Sequence, residues 1–263
     1  MVSHVAYRNT VIGAARFCLE NFSNSRLNNY IVTEFPKSGG TWACQLISEV
    51  LGLRFHRNAL PGLRNQVLHS HRTKYLSEDN TITMVRDGRD VYISYFYHSL
   101  FENDLYNHEH VRRVRNKFCG SREVNIETDL ADFISFVHND NLHYNGNWSR
   151  FLKRRLQRNP RLVYYENLLN SGKDEIKRVL RELGVSDVED HIIDAAISKY
   201  SFNTQSSGSS SGSTGSHRWL RSGTSGQWRS VYNDDARSAF NKHNFSMLNA
   251  LGYEDNEYWK IRA

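Results

Sequence analysis

The residues best suited to chemistry in this chain lie in the run Pro36-Lys37-Ser38-Gly39-Gly40-Thr41-Trp42. A lysine, two glycines and two hydroxyl side chains stand between an apolar stretch and a helical pattern. Such a loop can surround an anion with backbone N–H groups, a helix N-terminus and one cation. Its order is not that of a GxxxxGK[ST] loop, because Lys37 and Ser38 precede the glycines. Ordinary ATP or GTP use is thereby disfavoured. Glycines after a strand also serve as plain turn residues, so the run alone leaves site and turn both open.

Three further segments carry suitable side chains. Val85-Arg86-Asp87-Gly88-Arg89-Asp90-Val91, with Ser94, offers guanidinium forks and a hydroxyl for a phosphate, or simply a solvated charged turn. Arg221-Ser222-Gly223-Thr224-Ser225-Gly226-Gln227-Trp228-Arg229 adds another basic, glycine-containing loop. His69-Ser70-His71 offers an imidazole that titrates near neutrality and can accept a proton; its bland reading is an exposed loop histidine. Trp42 fits either a core or a stacking platform.

Taken in order, these segments resemble the cytosolic-type sulfotransferases that use PAPS (3′-phosphoadenosine 5′-phosphosulfate). Residues 36–42 are similar to the family's 5′-phosphosulfate loop PKSGTTW, with Gly40 in place of the first Thr. Residues 85–94 look like its 3′-phosphate motif VRDPRDVxxS, and residues 221–229 are similar to its late RKGxxGDWK segment. The resemblance spans 35–229. It implies that Lys37, with the N–H groups of Ser38, Gly39, Gly40 and Thr41, neutralises charge on the bridging oxygen during sulfuryl transfer. Arg86 and Ser94 would grip the 3′-phosphate, and Arg221, Ser222 and Gly223 would close over it. Trp42 and Phe202 would contact adenine, and Tyr165, in a YEDL-like strand end, would reach the nucleotide with its hydroxyl. His71 aligns with the histidine of the family's KTH motif and would be the base. The product would be adenosine 3′,5′-bisphosphate (PAP), and no metal is required. His69 stands where the family often has Lys, and Ser222 and Arg229 also replace lysines.

Elements must position these residues. The pattern predicts strands at 30–35, 81–85 and 162–165. Helices are expected after the first loop (Trp42, Leu46, Ile47, Val50, Leu51), after 87–89, near 130–137 and over about 173–183; 11–19 reads as an amphipathic helix. Alternation of strand and helix argues for one α/β domain over 1–263, with a central parallel sheet flanked by helices. The resemblance implies the P-loop-NTPase-like sulfotransferase version of that fold. Residues 102–147 are polar and placed outside the sheet, as an acceptor-side insertion. Residues 206–216 are a Ser/Gly run that predicts a flexible loop over the site.

Composition narrows the class. The net charge of +6 suits an anionic partner. Cys18, Cys44 and Cys119 form no CxxC pair or disulfide framework, so a cytoplasmic setting without zinc is expected. No stretch fits a signal peptide or membrane span. HExxH, GxSxG and GxGxxG are absent, and no magnesium-binding acid is evident after a strand. Two other functions are weighed: a nucleotide kinase, from the shared strand-loop-helix start, and a nucleic-acid binder using Arg112, Arg113, Arg115 and Lys117. Those cations fit a solvated helix face better, so no nucleic acid is expected. The acceptor reads as a hydroxyl compound. The polar 100–148 stretch and the likeness of the HxH and RDGRD segments to bacterial members favour a glycan or glycolipid, with a small alcohol or phenol left open.

Overall fold

The computed structural model describes residues 4–22, 27–57, 60–101, 108–140, 142, 146–201, 204 and 223–259, with side chains from residue 11 onward. By its backbone contacts the chain divides into two compact units: residues 1–85 with 154–200, and residues 86–153 with 201–263.

The first unit holds a four-stranded parallel sheet in the order β2-β1-β3-β4, built from β1 (Asn29–Glu34), β2 (Gln66–Ser70), β3 (Thr81–Val85) and β4 (Arg161–Tyr164). Both β1 and β3 are central and almost wholly buried, as strands covered on both faces are, although Asn29, Thr33, Glu34, Thr81 and Thr83 are polar. On one face Val32, Val67, Ile82, Met84 and Val163 form a core with α2 (Gly40–Val50), α7 (Tyr165–Glu182) and α8 (Asp190–Lys199). The apolar residues Ala43, Leu46, Ile47 and Val50 recur at helical spacing and bury the inner stripe of α2. On the opposite face Ile31, Leu68 and Leu76 meet Leu19 of α1 (His4–Phe22). That face also buries a polar cluster, in which the fully buried Arg155 is held by Glu78 at 2.6 and 2.8 Å and by Thr83 Oγ1 at 3.0 Å.

The second unit is helical: α3 (Gly88–Leu100), α4 (His108–Phe118), α5 (Ile126–Asn139), the start of α6 (Trp148–Leu156), α9 (Trp228–Val231) and α10 (Asp234–Ala250). Its core is aromatic, with Tyr92, Phe96, Phe133, Trp148, Trp228 and Phe240 fully buried. Helix α4 buries Val111 and Val114 and turns Arg112, Arg113, Arg115 and Lys117 outward, so the basic run is a solvated face.

The expected α/β class with a parallel sheet flanked by helices is the observed one, with local corrections. The strand expected at 30–35 runs Asn29–Glu34, and the one expected at 162–165 runs Arg161–Tyr164, so Tyr165 opens α7 instead of ending a strand. Helix α7 is longer than the expected 173–183 because its first turns, up to a break at Ser171, were not read as helix. Within 102–147 the structure has α4 as well as α5. Strand β2 was not expected at all: of its five residues only Val67 and Leu68 are apolar, between Gln66 and the polar pair His69 and Ser70. Among the described residues no helix is long and apolar enough to cross a membrane. The loop expected at 206–216 lies outside the described residues.

Candidate active site

Strand geometry brings the first group together. Side chains alternate across a sheet, so His69 and His71, two apart, project to one side. The parallel register sets Val32 opposite His69, and Glu34, two further along β1, falls on that same side. The result is a contiguous cluster. His69 Nε2 lies 2.9 Å from Glu34 Oε1, with both side chains buried. His71 Nδ1 lies 3.0 Å from the Glu34 carbonyl oxygen. The Gly40 N–H, at the start of α2, donates to Glu34 Oε2 at 2.6 Å. The two imidazoles meet edge to face at 4.7 Å.

This geometry fixes chemistry. A carbonyl oxygen only accepts, so His71 carries its proton on Nδ1 and keeps the Nε2 lone pair for use as a base. Burial, then the neighbouring His69, hold the His71 pKa down at about 4, so the ring is neutral at physiological pH. Burial opposes ionisation of Glu34, but the His69 hydrogen bond, the two imidazoles and the Gly40 N–H outweigh it and hold the carboxyl at about 2. The reading of His71 as a solvent-exposed loop histidine is therefore overturned: it directly follows β2 and is partly buried. Glu34, His69 and His71 also offer ligand atoms within 4.8 Å of one another, a grouping able to hold a metal ion. Both carboxylate oxygens of Glu34 already accept from N–H groups.

The loop itself joins β1 to α2. Lys37 is held at φ 76 and Gly39 at φ 99, both left-handed. Strain of that sort in a non-glycine residue persists only where the surroundings impose it, and it gathers at sites that bind. Gly39 tolerates no side chain: a Cβ there would sit 2.7 Å from the Tyr165 ring. Tyr165, the first residue of α7, is buried, and its ring meets Trp42 edge to face at 5.6 Å. Trp42 packs against the core beneath α2, so it is at least partly a core aromatic, as its bland reading had it. Ser38 is buried, and its N–H bonds back to the Phe35 carbonyl, closing the turn.

In the second unit, Arg86 follows β3 directly, and Asp87 caps α3 by accepting from the Arg89 N–H at 2.9 Å. Arg86, Asp87, Arg89 and Asp90 are all buried, which overturns the solvated-turn reading of RDGRD. Arg89 is only 2% exposed. Its guanidinium is gripped by Asp87 at 2.7–3.1 Å and by Glu254 at 3.0 Å, and it stacks on Trp228 at 3.6 Å. Asp90 accepts from the N–H groups of Gly226 at 2.6 Å and Trp228 at 3.0 Å, and Arg86 Nη2 donates to the Thr224 carbonyl at 3.1 Å. The second and third motifs are thus stitched together by Arg86 and Asp90. Gly88 stands where the resembling pattern has Pro, and a Cβ there would lie 2.9 Å from the Trp148 ring. Ser94 sits partly exposed on α3, and Gly223, also partly exposed, is the first described residue of the late loop. Phe202, Arg221 and Ser222 lie outside the described residues.

Glu34 is the residue the sequence reading missed. The available signal was an acid in the last position of a buried apolar strand, directly before the anion loop.

Comparison with known proteins agrees with this picture. The fold is similar to the crystal structure of mouse sulfotransferase SULT7A1 complexed with PAP, with a TM-score of 0.64, 17% identity and coverage of 92% of this chain and 91% of that one. It is also similar to retinol dehydratase in complex with androsterone and the inactive cofactor PAP, with a TM-score of 0.62, 14% identity and coverage of 91% and 85%. The family described as sulfotransferase domain matches residues 58–251, a stretch that includes both histidines and the second motif but begins after the anion loop. With that match over most of its length, the chain belongs to the sulfotransferase-domain family.

Proposed function

We propose that this sulfotransferase takes its sulfuryl group from PAPS, passes it to an acceptor hydroxyl and releases adenosine 3′,5′-bisphosphate. The observation that carries this reading is the loop between β1 and α2, with left-handed backbone at Lys37 and Gly39 and a neutral, Nδ1-protonated His71 fixed to the strand that precedes it. In the reaction the acceptor oxygen attacks sulfur as the bond from sulfur to the bridging phosphate oxygen breaks. His71 Nε2 takes the acceptor proton. Lys37 and the loop N–H groups balance the charge that builds on the departing oxygen. Arg86, Ser94 and Gly223 serve the 3′-phosphate, with Arg221 and Ser222; Trp42, Tyr165 and Phe202 serve the nucleoside.

The transfer needs no metal in this reading, since a cationic Lys37 and backbone N–H groups can meet the developing charge. A cytoplasmic setting fits the free thiols of Cys18, Cys44 and Cys119. For the acceptor, a polyhydroxylated compound is favoured by the His, Asn, Asp and Tyr content of residues 100–148.

The test is calorimetric titration with adenosine 3′,5′-bisphosphate and, separately, with magnesium and ATP, for the wild type and Arg86→Ala. Binding of the bisphosphate alone, weakened at least tenfold by the substitution, is the expected result. Preference for magnesium-ATP would overturn the donor assignment in favour of a kinase.

A further inference from the structure

Three residues depart together from the pattern this chain resembles or lie unmarked by it: Gly40, His69 and Glu34. The structure shows them to be one interlocked set. A Cβ on Gly40 would lie 2.6 Å from Glu34 Cδ and 2.8 Å from His69 Nε2, so the Glu34–His69 pair occupies the space that a side chain at position 40 would need. Conversely, the bare Gly40 brings its N–H within 2.6 Å of Glu34 Oε2. Glu34 then uses two different acceptors on two different rings: its carboxylate on His69 Nε2 and its own carbonyl on His71 Nδ1.

We propose that Glu34 is a positioning residue of the transfer site, which dictates the protonation pattern of both histidines and ties them to the first turn of α2. The inference rests on the sulfotransferase reading of this site. Each acceptor dictates a tautomer. The carbonyl accepts from His71 Nδ1–H, leaving the Nε2 lone pair for the acceptor's proton. The carboxylate accepts from His69 Nε2–H, so His69 holds its proton on the opposite nitrogen and is barred from competing for the same one. Two histidines two residues apart, one on β2 and one just past its end, are thereby given different duties. Other charged groups of the first unit lie near the cluster: Arg16 donates to the His69 carbonyl at 3.2 Å, and the Arg57 charge acts on His71.

The carboxylate-to-amide exchange separates this role from a merely structural one. In Glu34→Gln the side-chain oxygen can still accept from the Gly40 N–H, but the amide presents an N–H to His69, which must then offer a lone pair from Nε2 and move its proton to Nδ1. The Glu34 carbonyl is unchanged, so His71 should not respond. Long-range proton–nitrogen correlation spectra of the histidine side chains read both rings directly. The expected result is an Nε2-protonated His69 and an Nδ1-protonated His71 in the wild type, with only His69 reversed in Glu34→Gln. An unchanged His69 in the variant, or an Nε2-protonated His71 in the wild type, would overturn the proposal.

A thermodynamic cycle gives a second arm. Gly40→Ala, Glu34→Ala and the double variant are compared by urea unfolding. The double variant is expected to lose less stability than the two single losses added together, because Glu34→Ala removes the atoms that the new methyl meets. Strict additivity would overturn the interlock. Neither arm needs donor or acceptor, so the proposal can fail while the donor site stands, and a failed bisphosphate titration leaves both arms readable.

Discussion

At the scale of single residues, the proposed reaction turns on His71 as the base. Its neutral form is the active one, since a base must have its lone pair, and its pKa is held at about 4 by burial and by His69. Replacing it with Ala should slow transfer by about 10²–10⁴-fold, the usual worth of a positioned general base. Bisphosphate affinity should be unchanged, because the imidazole serves the acceptor's proton and no donor phosphate. Steady-state kinetics on an acceptor found by screening, beside calorimetry, checks both halves. In the wild type the rate should fall as pH drops through about 4, and this limb should vanish in His71→Ala. A rate loss matched by lost bisphosphate binding would instead make His71 a donor contact.

At the scale of elements, α3 is tied to the late loop and to Glu254 through buried charges. Arg89 is buried between Asp87, Glu254 and the Trp228 ring. Removing one partner from a buried ion pair leaves an uncompensated charge, so Arg89→Ala should cost about 3–5 kcal/mol in urea unfolding. An exposed-pair cost below about 1 kcal/mol would contradict the buried arrangement. Gly88 has a different constraint: a methyl there enters the Trp148 ring, and overpacking of this kind costs about 1–3 kcal/mol. Gly88→Ala should therefore lower the melting temperature, whereas the same change at Gly52, where nothing lies within 4 Å of a Cβ, meets only backbone strain.

At the scale of the whole molecule, buried titratable groups make the fold acid-sensitive in two steps. His71 and His138 are pushed down to about 4 and about 3, chiefly by burial, from an ordinary 6.5. Between those values the unfolded chain binds more protons than the folded one, so stability rises with pH there and is lost as pH falls from 6.5. Glu34, held at about 2 against an ordinary 4.5, adds a second loss as pH falls below 4.5. Denaturant midpoints measured from pH 7 to pH 3 should fall throughout that interval. Glu34→Gln should flatten the lower part, provided the variant folds.

The sequence by itself determined the chemistry more than its geometry. The order of the lysine-glycine loop, the arginine motif and the late loop was legible because anion-binding loops and helix starts are local: they depend on a few neighbouring residues and on backbone N–H groups. The α/β class followed from the alternation of apolar strands and amphipathic helices, which is also local. Tertiary structure alone decided what crosses between strands. Strand β2, short and interrupted by His69, has no period of its own to announce it, and its pairing with β1 is what sets Glu34 against His69 and His71. Likewise, nothing near Arg86 and Arg89 in the chain shows that Thr224, Trp228 and Glu254 will bury them. Those partners are more than a hundred residues away, and a charged turn reads the same in sequence whether it meets water or a tryptophan.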